Sequence, residues 1–101
     1  MMKLEFKKIS IIGLGLIGTS ILHAINVKKK EGVITFAYDM NSKHRDIVSE
    51  MKIATFVCDK IHDAIKDADL VILAIPVGSM KSIAISIASS LKESAIVTDT
   101  G

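Results

Sequence analysis

The 101-residue chain has one cysteine, one proline, no tryptophan, three phenylalanines and one tyrosine. Each shortage removes a class of answer. The lone thiol, Cys58, cannot close an internal disulfide or build a cysteine-based zinc site. It reads as a small apolar filler in a short strand. The few aromatics are not set among the lysines, so the stacking platform that a nucleic-acid surface combines with a basic stripe is missing. Arginine is nearly absent too: Arg45 stands alone beside twelve lysines, for a net charge of +2. The one basic cluster, Lys28-Lys29-Lys30, reads as a solvated helix end, where cations favour the dipole. No apolar run is long. The longest, Leu70 to Val77, falls far short of the roughly 20 residues that cross a bilayer as a helix. The opening MMKLEFKKIS has no signal-peptide core, because Glu5, Lys7 and Lys8 interrupt it. What remains is one globular domain with the cytosol as default compartment, and neither nucleic acid nor membrane as an expected partner.

What is present is an alternation. KKISII (7–12), VITFAYD (33–39), ATFVC (54–58), LVILAI (70–75) and AIVT (95–98) read as five strands. Between them lie helical patterns. Residues 16–29 place Ile17, Ile21, Ala24 and Ile25 on one face, with Gly32 as a stop. Asn41 or Ser42 caps a second helix with Ile47, Val48 and Met51 inward, and Ile61 to Asp67 forms a short third. Met80, Ile83, Ala84, Ile87 and Leu91 mark the fourth. LVILAI is apolar on both faces, as a central parallel strand is, and Pro76 ends it. Strands alternating with helices at this spacing predict an α/β, Rossmann-type doubly wound parallel sheet, strand order 3-2-1-4-5. Its ligand crevice lies beyond the carboxyl ends of strands 1 and 4.

The first strand runs straight into Gly13-Leu14-Gly15-Leu16-Ile17-Gly18. A GxGxxG alone is weak evidence; between a strand and a helix, with an acid ending the next strand, it is much stronger. Gly13 allows the tight turn, Gly15 lets a pyrophosphate approach the backbone, and Gly18 lets the helix pack on the strand. The helix N-terminus then offers unpaired N–H groups to phosphate. The acid is Asp39, 21 residues after Gly18. There a carboxylate accepts from ribose hydroxyls and repels a 2′-phosphate, which predicts NAD rather than NADP. The candidate cofactor-binding set is Gly13, Gly15, Leu16, Ile17 and Gly18; Asp39 and Met40; Ile75, Pro76 and Val77 at the exit of strand 4; and Thr100 at the exit of strand 5. Arg45, six residues past the acid, is not counted as a phosphate clamp. His23, His44 and His62 all lie away from the exits of strands 1, 4 and 5 and are not assigned to catalysis; His44 could at best approach the adenine side. No metal-ligand spacing such as HExxH occurs.

IIGLGLIGTSIL, YDMN, ADLVILAIPVGSM and LKESAIVTDTG together resemble the N-terminal nucleotide-binding domain of the prephenate and arogenate dehydrogenases, over nearly the whole chain. The resemblance implies a reaction. Prephenate gives a hydride from its ring carbinol to NAD, loses its carboxylate as carbon dioxide, and becomes 4-hydroxyphenylpyruvate on the way to tyrosine. It also implies that the polarising histidine, the substrate-binding arginines and a helical dimerisation domain lie further along the chain. By this reading residues 1–101 are the cofactor half of a homodimeric enzyme, carry no catalytic residue, and bind NAD without turning prephenate over. An exposed edge on strand 5 would then favour weak self-association. Two other readings share part of the pattern. Another NAD(P) oxidoreductase, an arogenate-specific one included, differs in substrate or cofactor. A nucleotide-sensing regulatory domain has the glycine loop and the acid but not usually the Ala-Ile-Pro-Val exit or the Thr-Asp-x-Gly turn.

Overall fold

The computed structural model describes residues 6–100; Gly101, the last residue of the Thr-Asp-x-Gly turn, lies outside them. The order is β1 (Lys8–Ile12), α1 (Leu16–Lys28), β2 (Ile34–Tyr38), α2 (Ser42–Met51), β3 (Phe56–Cys58), α3 (Ile61–Ile65), β4 (Leu70–Leu73), α4 (Val77–Ala88) and β5 (Ile96–Asp99). All five strands are parallel in the order β3-β2-β1-β4-β5, as the alternation predicts.

The period-2 alternation of strand side chains sends β1 to two different cores. Ile9 and Ile11 join Leu22, Ala37, Val48 and Ile53, under α1 and α2. Ile12 joins Ala64, Ile65, Val71, Leu73 and Ile87, under α3 and α4. Ser10 lies on that second face, fully buried, and its hydroxyl donates to the Ala64 carbonyl, pinning the short α3 to the central strand. A second buried hydroxyl has a similar task. Thr35 N–H donates to Thr55 Oγ1 (3.0 Å) and Thr55 N–H donates to Thr35 Oγ1 (2.9 Å), which sets the start of β2 against the chain entering β3.

The helices exist where expected, but two are turned about their axes. In α1 the buried residues are Gly18 and Leu22, with Ile21 and Ile25 packed beside them; Ile17 is 59% exposed and Ala24 is exposed. The close seat of Gly18 against the glycine loop sets the rotation of the helix, so its first turn projects past the sheet. In α2 Val48 is the buried residue, while Ile47 and Met51 are exposed. A short helix lying on a three-stranded half of the sheet buries a narrower stripe than its apolar residues could cover. Asn41 does cap α2, its side chain accepting from Lys43 N–H at 2.8 Å. The fourth strand ends at Leu73, two residues earlier than expected, and its apolar character on both faces holds.

At the amino edge, Asp69 gathers three segments. Its Oδ2 accepts from Lys7 N–H (2.7 Å) and Lys8 N–H (2.9 Å), and its Oδ1 receives the Lys92 ammonium. The ammonium, helped by those N–H bonds, holds the Asp69 carboxyl down at about 2.

Candidate functional site

The carboxyl edge holds the loops that the sequence singles out. Ladder bonds continue past the strands: Gly13 N–H donates to Tyr38 O (2.8 Å), Ala74 N–H to Ile12 O (2.7 Å) and Thr100 N–H to Leu73 O (3.3 Å). Consecutive loops therefore start at one level. The β1–α1 loop lies between the exits of β2 and β4, because β1 pairs with both strands. That is the switch point where connections leave in opposite directions, and ligands of such sheets bind there.

The three loop glycines differ sharply in their surroundings. Gly13 has φ +103°, and a Cβ on it would lie 2.2 Å from the Ala74 carbonyl oxygen. A Cβ on Gly18 would lie 1.8 Å from the Gly13 carbonyl oxygen. Both positions are filled by main chain and exclude any side chain. A Cβ on Gly15 would meet nothing within 4 Å. Gly13 and Gly18 thus close the turn, and Gly15 leaves it open. Gly15 is also the N-cap of α1, with no side-chain cap and no acid in the first turn, so the first N–H groups of the helix keep their capacity for an anion. Pro76, the N-cap of α4, is likewise without a side-chain cap or a first-turn acid.

Asp39 stands beside this loop. Its Oδ2 accepts from Leu14 N–H at 2.7 Å, and its Oδ1 from Asn41 N–H at 2.8 Å. Burial pushes the carboxyl up, but the two main-chain donors and His44 outweigh it and hold Asp39 below the usual carboxylate range. The acid is therefore ionised at neutral pH and fixed to the glycine loop. A carboxylate has about four lone-pair positions, and the single bond to Oδ1 leaves room for a hydroxyl donor.

The remaining candidates occupy a rim. Leu16, Ile17, Met40 and Val77 are 86%, 59%, 85% and 78% exposed, an unusual display for large apolar side chains. Pro76 and Thr100 are exposed. Ile75 is half-buried and packs on the α3–α4 core; its Cγ2 closes the space beside Gly13. It acts chiefly as a wall of the turn. All eleven candidates thus lie on the β1–α1 loop, in the first turn of α1, or at the carboxyl exits of β2, β4 and β5.

Sequence reasoning set aside two residues that the fold places at the acid. His44 Nδ1 lies 3.2 Å from Asp39 Oδ2. Arg45 Nη1 donates to the carbonyls of Asp39 (2.8 Å) and Met40 (3.3 Å), so it braces the β2–α2 turn instead of waiting for a phosphate. The available signal is their spacing from Asp39: five and six residues past the acid is one helical turn beyond the Asn41 cap. His23 lies far along α1, and His62 Nδ1 pairs with Ser90 Oγ at 3.0 Å, away from the crevice. Among the described residues no group of three or more His, Cys, Asp or Glu could hold a metal, and no helix is long and apolar enough to cross a membrane.

Comparison with known proteins identifies the family. Residues 24–101 match the family described as prephenate dehydrogenase, nucleotide-binding domain. A cyclohexadienyl dehydrogenase from Zymomonas mobilis is 40% identical over 96 residues, covering 95% of this chain and 32% of that protein. Among solved structures, a prephenate dehydrogenase from A. aeolicus, in complex with hydroxyphenyl propionate and NAD+, superposes with a TM-score of 0.86 at 25% identity, over 99% of this chain and 35% of the other. A Synechocystis arogenate dehydrogenase shares the fold, with a TM-score of 0.84 at 20% identity over 93% of this chain and 32% of that one. The chain thus spans about a third of the length of each of these relatives. By its sequence match and its fold, the chain belongs to the prephenate dehydrogenase family and carries that family's nucleotide-binding domain.

Proposed function

We propose that this domain binds NAD for a protein that oxidatively decarboxylates prephenate to 4-hydroxyphenylpyruvate. The observation that carries the reading is the pairing of an open Gly15 with an ionised Asp39 tied to the same loop through Leu14 N–H. A dinucleotide needs both features within one crevice: a backbone that admits the pyrophosphate, and an acceptor for the adenosine ribose. The relative from A. aeolicus, whose structure includes NAD+, supports the choice of cofactor.

The roles of this chain's own residues follow from their positions. Gly15 and the first N–H groups of α1 would receive the pyrophosphate, and Oδ1 of Asp39 a ribose hydroxyl. Leu16, Ile17, Met40 and Val77 would lose water-exposed apolar area to the bound nucleotide, and the exits of β4 and β5 at Pro76 and Thr100 would border its nicotinamide end. Excluding water there protects hydride chemistry, and fixing the ring against the carbinol supplies orientation. The nicotinamide, when bound, supplies the hydride acceptor. The ring carbinol would give up its hydride, the ring carboxylate would leave as carbon dioxide, and the electron pair of the broken C–C bond would complete the aromatic ring, whose oxygen ends with its proton as the phenol. None of the described residues is assigned to polarise the carbinol. We place that group, the substrate-binding cations, a helical dimer interface and a cytoplasmic working site in the whole protein, and expect the 101-residue chain to bind cofactor without turnover.

Calorimetric titration with NAD and NADP is the test. NAD binding at micromolar to millimolar strength, with NADP at least about tenfold weaker, is the expected result. Absence of binding by a folded full-length protein would overturn the reading. Assaying that protein with prephenate and with arogenate, which carries an amino group in place of the side-chain keto group, then settles the substrate.

A further inference from the structure

Asp39 has an imidazole neighbour. His44 Nδ1 is within hydrogen-bond distance of Oδ2, at 3.2 Å, and the imidazole side chain is 43% exposed while the carboxylate is 15% exposed. An ionised carboxylate only accepts, so Nδ1 carries a hydrogen whether the ring is neutral or cationic. Protonation therefore leaves this contact in place. It changes the charge of the pair from one negative unit to zero.

The charges around the pair are otherwise constant in that range. Lys43, Arg45 and Asp46 lie beside His44 on α2. The Arg45 guanidinium is occupied by the carbonyls of Asp39 and Met40. Asp59 and Lys60 follow β3, the strand next to β2. The glycine loop contributes the N–H of Leu14 and no titratable side chain between Gly13 and Leu22. Histidine is the side-chain type whose charge changes between about pH 5 and 8, and His44 is the histidine in contact with this acid.

We propose that His44 is a specificity-determining residue that sets how strictly the site rejects a 2′-phosphate. The inference rests on the dinucleotide reading above. With neutral His44, the Asp39 carboxylate presents its full charge to the adenosine ribose, and a phosphate dianion there is repelled. With protonated His44, that charge is balanced on the Oδ2 side, while Oδ1 still accepts a ribose hydroxyl. NAD then binds almost equally in both states, whereas NADP binds better to the protonated one. Discrimination narrows as pH falls.

The experiment titrates the full-length protein with NAD and with NADP at about pH 8 and about pH 6, on either side of the ordinary imidazole range. A 2′-phosphate itself gains a proton near about pH 6, as phosphate monoesters do. A His44→Gln variant, which keeps a donor but never a charge, supplies that baseline. The preference for NAD over NADP is expected to fall about three- to tenfold further in the wild type than in His44→Gln, the size of one unit charge acting across a partly exposed site. His44→Lys, permanently charged, is expected to show the narrowed preference already at the higher pH. Equal pH dependence in the wild type and His44→Gln, or a His44→Lys variant as strict as the wild type at the higher pH, overturns the proposal while leaving NAD binding intact. Failure of NAD to bind the wild type at either pH overturns the dinucleotide reading, and this proposal with it.

Discussion

The sheet has two ends, and at each an aspartate accepts hydrogen bonds from main-chain N–H groups flanking the central strand. At the amino end Asp69 binds Lys7 and Lys8, just where β1 begins; at the carboxyl end Asp39 binds Leu14, just past where β1 stops. The chemistry is the same and the outcome differs. Asp69 has one oxygen on two N–H donors and the other on the Lys92 ammonium, so its acceptors serve the fold. Asp39 has its Oδ1 on a single N–H, at the edge where Gly15 is open and the N-termini of α1 and α4 have neither a side-chain cap nor a first-turn acid. An acid fully engaged by the fold and an acid left partly open at a crevice can share a donor type. They are told apart by what else reaches them.

The largest expected effect separates the loop glycines. Gly18→Ala forces a methyl group against the Gly13 carbonyl and should cost about 3 kcal/mol or more of stability, read as a shift in denaturant midpoint. Next comes Asp69→Ala. Loss of its charge-assisted bonds should cost about 2 kcal/mol and leave NAD affinity per folded molecule unchanged. A loss of binding with no loss of stability would erase the distinction between the two ends. Gly15→Ala is expected to do the opposite: at least about tenfold weaker NAD binding, roughly 1.4 kcal/mol, with stability changed by less than about 1 kcal/mol.

The same two acids also shape the pH profile. Asp69 has a folded value of about 2, below the roughly 3.9 of an unfolded aspartate. Its stabilisation is complete above about pH 4 and is lost as pH falls toward 2. Asp39 is also depressed in the folded state, so its share has the same sign, present above the ordinary carboxylate range and lost below it. Acid denaturation of wild type and Asp69→Asn should converge at low pH. Curves that stay parallel down to about pH 2 would mean that Asp69 contributes nothing through its charge.

Much of this is legible in the sequence. The glycine loop, the acid and the apolar fourth strand are local patterns, each spanning only a few residues. The strand order followed from alternation plus the rule that parallel crossovers keep one hand. Other features were hidden because they join residues far apart in sequence. Ser10 reaches Ala64, Thr35 pairs with Thr55, and Asp69 collects Lys7, Lys8 and Lys92. The rotation of α1 is hidden from the sequence for a related reason. Ile17 and Ala24 fit an apolar stripe by spacing alone, but Gly18 can approach the Gly13 carbonyl as no other residue could, and that contact turned Ile17 outward to the crevice.

The sequence by itself determined the class of sheet, the place of its crevice and the residues that turn there, because hydrophobic period and glycine spacing act over single elements. The tertiary structure alone decided which glycine is open, which aspartate is engaged by the fold, and that His44 touches the acid. Those outcomes depend on which main-chain groups from other elements fill the space and lone pairs around each residue, and no local pattern encodes that.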